Sequence, residues 1–458
     1  MSDTLQPKHK RIALFALCLA FFMVIIDVTI VNVALPSMSI ELHGGISWLQ
    51  WIIDGYALTF ACFLLSAGHF GDHFGPKVSF VLGLILFTLT SLGCGLANDF
   101  LTLTGFRLLQ GMAAALMVPT SLSLVNVLFK TKTERARAIG IWGSIGGIAA
   151  ACGPLVGGIL TSIFSWRSVF FVNVPVGLLA IIIAVIYVPR PGGTGKESFD
   201  VPGQFFAICS IGALAFGLIE SGRLGWTSPL VQYSFILFAI ALVVFLFLEW
   251  RVKSPMFPLT LFKSREFSIG LISGVLLNFA FFGILFLLPL YFQHVRHYSV
   301  LMTGMAVLPL TVLTIFGSFF SGRVTGKYGS KLPMIIGLSF VTFGFVGALI
   351  AAEDHPTYLA LALPLLAVGF GIAFAMPAAT VMIMNAVPPT HTGLASGTFN
   401  ALRQVGSLIG VAVFGTVVAV SSGFVEGLHV GLICSAIACF IALCFVLFLP
   451  GGITPDEK

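Results

Sequence analysis

Residues 68–77 read Gly-His-Phe-Gly-Asp-His-Phe-Gly-Pro-Lys, and residues 322–331 read Gly-Arg-Val-Thr-Gly-Lys-Tyr-Gly-Ser-Lys, an offset of 254. Working outward, Gly111-Met-Ala-Ala-Ala-Leu-Met-Val-Pro119 returns as Gly369-Phe-Gly-Ile-Ala-Phe-Ala-Met-Pro377, offset by 258. Gly140 and Gly153 return as Gly397 and Gly410, offset by 257. Offsets this constant over three separated segments imply a duplicated unit. Each copy sits among long apolar runs, so the unit is a set of membrane helices.

Composition points the same way. The chain has 458 residues, of which 58% are hydrophobic and 9% charged, with a mean hydropathy of +1.07. Soluble domains carry roughly 25% charged residues, so a surface facing water cannot be built from this chain. All eight cysteines lie in apolar segments and none forms a Cys-x-x-Cys pair. They read as packing residues rather than a disulfide framework or a metal site. The first apolar run follows the basic cluster Lys8–Arg11. It is long enough to span and lacks a small-residue cleavage pattern, so it reads as a retained helix.

A spanning helix needs about 20 mostly apolar residues. Fourteen segments qualify: 12–34, 49–70, 78–97, 100–128, 136–163, 167–188, 201–220, 231–248, 267–292, 301–322, 333–352, 358–387, 394–421 and 429–449. With the N-terminus inside and strict alternation, cytoplasmic segments hold 18 Lys and Arg residues. External segments hold three: Arg167, Arg223 and Arg296. The positive-inside rule expects this asymmetry, and both termini are expected in the cytoplasm. The predicted organisation is an all-α membrane protein with three parts. Residues 1–190 form an N-terminal six-helix bundle, residues 191–265 hold two inserted helices with their linkers, and residues 266–458 form a C-terminal six-helix bundle. Parallel repeats of this kind build one class of secondary transporter, with the substrate site between the bundles near the midplane.

Few residues in the helices carry chemistry. Asp27 and Asp54 are the carboxylates well inside predicted helices. A charge at the bilayer centre costs about 2.5–3.5 kcal/mol on insertion scales, so such groups mark function. Burial disfavours the charged carboxylate and a nearby cation restores it, which lets one acid exchange a proton for a cationic substrate. Helix capping at an interfacial turn is the plainer alternative, stronger for Asp54 than for Asp27. Arg107 keeps its proton under working conditions and supplies a fixed positive charge near these acids. Snorkelling to an interface is the alternative, and for Arg403 it is an even choice. Trp51 and Tyr56 flank Asp54 and suit lipophilic cations by cation–π attraction; an interfacial aromatic belt explains Trp48 and Trp51 equally well. Gly153, Pro154, Gly157 and Gly158 lie on a small-residue face that permits close helix approach, with Pro154 kinking the helix.

Other chemistries are excluded. The run Gly192–Glu197 lacks the spacing and the Ser/Thr of a phosphate loop, and no domain large enough to bind ATP is present. No nucleophile or metal signature appears. The nine histidines are scattered, so a membrane-embedded enzyme lacks its cluster. No cofactor, metal or nucleic-acid partner is expected.

These residues resemble the major facilitator superfamily and, within it, the fourteen-helix drug:proton antiporters. Asp27-Val-Thr-Ile-Val-Asn32-Val-Ala-Leu-Pro36 resembles the family's first-helix motif, and Trp51-Ile-Ile-Asp54-Gly-Tyr56 its second-helix sequence in exporters of organic cations. Gly68-x-x-Gly-Asp72-x-x-Gly75-x-Lys77 is similar to the superfamily's loop motif, with His73 and Pro76 where Arg is frequent. Arg107-x-x-Gln110-Gly111 resembles the proton-coupling motif of helix four. Gly153-Pro154-x-x-Gly157-Gly158 resembles the antiporter motif of helix five. Trp166-Arg167-x-x-Phe170-x-x-Asn173-x-Pro175 and Gly397-x-x-Asn400-x-x-Arg403-Gln404 match as well. The resemblance implies a proton-coupled multidrug exporter in the bacterial cytoplasmic membrane, a monomer that takes drug-like small molecules and protons. It implies that Asp72 latches the two bundles on the cytoplasmic side. An exporter or importer of an endogenous peptide, lipid or siderophore-like metabolite shares the fold and remains the alternative.

Overall fold

The computed structural model describes residues 7–191, 200–252, 257, 259–352, 357–388 and 392–449. The glycine run at 192–197 and the linker residues 253–256 lie outside the described residues.

A backbone in hydrocarbon must satisfy its own polar groups, and a helix does so within one segment. The described chain accordingly forms helices with short connections. They are α1 (Pro7–Leu42), α2 (Ile46–Phe74), α3 (Pro76–Leu96), α4 (Phe100–Leu128), α5 (Lys132–Ile163), α6 (Ser168–Phe171) and α7 (Asn173–Tyr187). The inserted pair is α8 (Val201–Leu224) and α9 (Pro229–Arg251). Then follow α10 (Arg265–Leu290), α11 (Val300–Tyr328), α12 (Lys331–Ala351), α13 (Tyr358–Asn385), α14 (Thr392–Val420) and α15 (Phe424–Leu447). A 3₁₀ turn precedes α10 at Leu259–Lys263, and a π turn extends it at Tyr291–Val295.

Among the described residues, 12 helices are long and apolar enough to cross a membrane, with α6 and α7 acting as one span. The helices α2 and α11 are not among those 12, although each runs for 29 residues. Apolar side chains such as Leu178, Ile182 and Ile186 on α7, and Ile236, Ile240 and Val243 on α9, are exposed. Exposed apolar bands of this extent mark a surface that meets lipid rather than water.

Most helices overrun their predicted limits. The 36 residues of α1 would reach roughly 54 Å at 1.5 Å per residue, well beyond the ~30 Å hydrocarbon core. Hydropathy marks the part in lipid, while hydrogen bonding carries the helix past it.

The segment Gly68–Lys77 departs from the expected loop. α2 continues through Phe74, Gly75 is the single linking residue, and Pro76 opens α3. Gly75 has φ +95° and Gly329, its repeat partner, has φ +76°. This left-handed region is open to glycine without Cβ strain, and proline at the first helical position completes the stop-and-start. The two copies also share a tether. Lys77 Nζ donates to Val185 O near the end of α7 at 2.8 Å, and Lys331 Nζ donates to Leu449 O just past α15. Asp72 lies on α2, but its side chain is outside the described residues.

The turn region, where α1 begins and α15 ends, is called the terminal end below, and the opposite side the distal end. Side-chain bonds join α1–α7 to α10–α15 from mid-helix to the distal end. Gln50 Nε2 donates to Val411 O (3.2 Å) and Ala412 O (2.7 Å), Gln293 Nε2 to Val33 O (3.1 Å), and Thr311 Oγ1 to Ala151 O (3.4 Å). Backbones meet closely where a Cβ on Gly158 would lie 3.4 Å from Gly304 Cα. The Gly153–Gly158 motif therefore faces two ways. Gly153 and Gly157 abut Thr29 and Ile30 of α1, while Gly158 abuts α11. Asp99 caps α4 through the Thr102 amide at 2.8 Å, and this bond, with one from the Thr102 hydroxyl, holds its carboxyl below the ordinary range.

Candidate functional site

Asp27 sits mid-way along α1 with no solvent exposure. Arg107 reaches it from α4, Nη1 to Oδ2 at 2.5 Å, and is itself only 1% exposed. Removing two charges from water is costly, and the cost is recovered only when every remaining lone pair and proton finds a partner. Here the partners converge from four helices. Gln110 Nε2 donates to Asp27 Oδ1 (3.0 Å) and to Ser91 Oγ on α3 (2.7 Å). Gln110 Oε1 accepts from Arg107 Nη1 at 2.7 Å. Asn173, the first residue of α7, donates to Asp27 Oδ1 (3.0 Å) and to Ser91 Oγ (3.1 Å). Arg107 Nε donates to Ile52 O at 3.0 Å. The guanidinium lies 4.4 Å from the Tyr56 ring centroid and 5.9 Å from that of Phe170. The break at Val172 between α6 and α7 brings Asn173 to this cluster.

Asp54 is the opposite case. It is fully buried on α2, and neither carboxylate oxygen has a hydrogen-bond partner. The Tyr56 hydroxyl is also unpartnered. Both residues line a cavity together with Val28, Ile53, Ala57 and Arg107 from the first set of helices. Phe282 on α10 and Gln404, Ser407 and Val411 on α14 complete it from the last set. The space open to the centre of a water molecule is about 20 Å³, room for roughly one water. In this closed geometry a small molecule the size of a drug does not fit. An isolated charged carboxylate in such surroundings must be neutralised, either by a proton or by a cation.

The structure therefore brings together Asp27, Arg107, Gln110, Tyr56, Asp54 and Gln404. It does not bring in Asn32, whose side chain donates to Val28 O of its own helix at 2.8 Å. Trp51 points away, donating its indole N–H to Glu220 Oε1 on α8 at 3.0 Å. Asn400 is exposed and bonded to Ser396 O at 2.9 Å, and Arg403 stacks over Phe399 with its Nε unpartnered. Sequence reasoning missed Ser91, Ser407 and Phe282, and gave Asn173 no separate role. A lone Ser in an apolar helix carries no positional signal. Glu220 was missed because the apolar run was ended at that residue; its burial to 7% exposure and its bond to Trp51 were not readable.

Long lipid-facing helices around a buried charged network and a small inter-helix cavity define a multi-pass membrane protein of the transporter class. The chain belongs to the Major Facilitator Superfamily, whose family model matches residues 17–411. It is 36% identical to the multidrug resistance protein Stp of Mycobacterium tuberculosis over 412 residues, 90% of this chain and 76% of that one. It is 34% identical to a methylenomycin A resistance protein of Bacillus subtilis, over 97% of this chain and 96% of that one. A riboflavin transporter, RibZ of Clostridioides difficile, is 31% identical over 96% and 98% of the two chains. In fold, the crystal structure of a D-xylose-proton symporter matches with a TM-score of 0.71 at 14% identity, covering 96% and 98%.

Proposed function

We propose that this chain is a proton-coupled antiporter of the fourteen-helix drug exporter family, expelling hydrophobic cationic compounds by alternating access. The observation that carries this reading is Asp54, a buried carboxylate without a partner in a cavity lined from both sets of helices. Its charge calls for either a proton or a cationic substrate, and the two compete for one place. Asp27 is already balanced by Arg107. Protonating Asp27 would uncover the guanidinium on the wall of the same cavity and repel a bound cation. One acid thus binds and the other expels.

The same proposal takes α2 and α11 as the two remaining spans. Residues 1–190 and 266–458 are then two rocking bundles, 191–265 an insert, and the protein a monomer in the bacterial cytoplasmic membrane with both termini inside. The excess of Lys and Arg in the segments assigned to the cytoplasm supports that orientation.

The test is ethidium and dequalinium efflux from proteoliposomes energised by a proton gradient. Asp27→Asn is expected to abolish efflux of both while the protein still inserts. Asp54→Asn is expected to lose the divalent dequalinium first. Unchanged efflux in Asp27→Asn at equal reconstitution would remove Asp27 from the mechanism, and equal loss of both compounds in Asp54→Asn would refute its selectivity role. The likeness to the riboflavin transporter favours a second reading, transport of an endogenous metabolite. Riboflavin flux exceeding drug flux in the same vesicles would select it.

A further inference from the structure

The inserted helix α8 lies against both sets of helices at once. Its bonds to α2 are made near each end. Gln204 donates to Cys62 O at 2.9 Å and accepts from Ser66 Oγ. Sixteen residues on, roughly 24 Å along the axis at 1.5 Å per residue, Glu220 accepts from Trp51 Nε1 at 3.0 Å. Glu220 is also ion-paired to Arg223 at 2.7 Å, so its charge is fixed locally. Among the described residues the polar tie towards α14 is at the distal end, where Thr416 Oγ1 donates to Leu218 O at 2.6 Å. Beside it, a Cβ on Gly222 would lie 3.2 Å from Ala419 Cβ and 3.3 Å from Thr416 Cα. One turn of α14 earlier, Gln50 of α2 bonds Val411 O and Ala412 O, and its side chain fills the space over Gly415. Between these ends the contact is apolar: Ala57, Leu58 and Cys62 of α2 cluster with Ala215 of α8 and Leu408 of α14.

A helix that touches two bodies in relative motion must travel with one and slide on the other. Bonds at two widely spaced levels resist both tilt and translation, whereas a tie at one level permits a hinge. We infer that α8 moves as part of the N-terminal bundle, and that Gln50, Leu218, Val411, Ala412 and Thr416 form a distal latch in which the insert is a working member. The inference rests on the alternating-access reading and adds a role for a helix outside both repeats. The latch holds the distal side shut by bonding α2 and α8 together onto α14, Gln50 through the α14 carbonyls of Val411 and Ala412 and Leu218 O through the Thr416 hydroxyl. Opening that side requires Gln50 and Leu218 to release α14 in one movement.

The test uses the full chain in lipid nanodiscs with its native cysteines replaced, and spin-label pairs at Gly45→Cys, Leu224→Cys and Val420→Cys. Distances are read by pulsed electron resonance in acid and in alkaline buffer. Moving between the two buffers, the Gly45–Val420 and Leu224–Val420 distances are expected to change together while Gly45–Leu224 holds constant. If Gly45–Val420 changes and Leu224 keeps its distance to Val420 instead, α8 belongs to the C-terminal bundle and the inference is overturned alone. If no pair changes, the alternating-access reading falls and takes the inference with it. A second arm oxidises the pair Gly222→Cys and Ala419→Cys, whose Cβ atoms lie near disulfide span. Ethidium efflux is expected to stop on oxidation and return with reductant; efflux that persists in the fully cross-linked protein overturns the latch.

Discussion

Where α4 carries Arg107, its repeat partner α13 carries Leu365, and Gln110 is matched by Val368 at the same offset of 258. Ser91 on α3 is matched by Phe345 on α12, offset by 254. All six side chains are buried. One set of helices thus encloses a charged, hydrogen-bonded network at the positions where the other is filled with hydrocarbon. At these three positions the C-terminal set packs without buried charge. A buried ion pair is weak as a source of stability, and well-packed apolar replacements are often neutral or better. On the proposed mechanism the network in the N-terminal set serves coupling rather than stability, and the C-terminal set supplies an uncharged wall opposite it.

The comparison breaks most sharply at Arg107. Arg107→Leu copies the C-terminal set but strands Asp27 as an uncompensated buried charge. It is expected to destabilise the protein by about 3–5 kcal/mol and to abolish efflux. Adding Asp27→Leu is expected to restore most of the thermal stability in detergent with no return of transport. A double variant that pumps would mean that the charged network is ornamental.

A smaller effect is expected at Ser91, whose hydroxyl accepts from both Gln110 and Asn173. Ser91→Ala leaves two buried donors short of a partner, a cost of about 1–3 kcal/mol. Because those donors orient on Asp27, the pH dependence of efflux is expected to shift as well. Phe345→Leu, the counterpart on α12, is expected to lower the melting temperature without moving the pH profile. A shift in both would place chemistry in the C-terminal set too.

The smallest effect tests what the two sets share. Lys77 and Lys331 each donate to a carbonyl at the end of the last helix of their set. A cation at a helix C-terminus is worth typically 0.3–1 kcal/mol. Lys77→Met and Lys331→Met are each expected to lower stability by about that amount and by similar degrees. A loss several times larger at one site would show that the tethers differ in kind.

The helical membrane fold was legible because apolar runs and the repeated Gly-Pro and Gly-Ser turns are written in the residues themselves. Helix ends were not, since Lys8 or Thr392 can continue a helix after hydropathy has fallen. At the site, Asp27, Arg107 and Gln110 stood out as polar groups in apolar surroundings. Ser91 and Ser407 did not, because membrane helices carry many hydroxyls that bond only their own backbone, as Thr88 and Ser435 do here. That Trp51 turns to Glu220 and leaves Asp54 alone depends on how α8 docks, which no local pattern encodes.

Between Phe74 and Pro76 stands a single residue, Gly75, with no slack on either side. With so short a link the end of one rod and the start of the next must stay adjacent, so displacing the tip of one displaces the root of the next. α2 carries Gln50 at one extremity and meets this joint at the other, while Lys77, two residues beyond, grips α7. On the alternating-access proposal, movement begun at the far face of the membrane would reach the opposite face through the α2 backbone itself, without any side chain having to carry it across the bilayer.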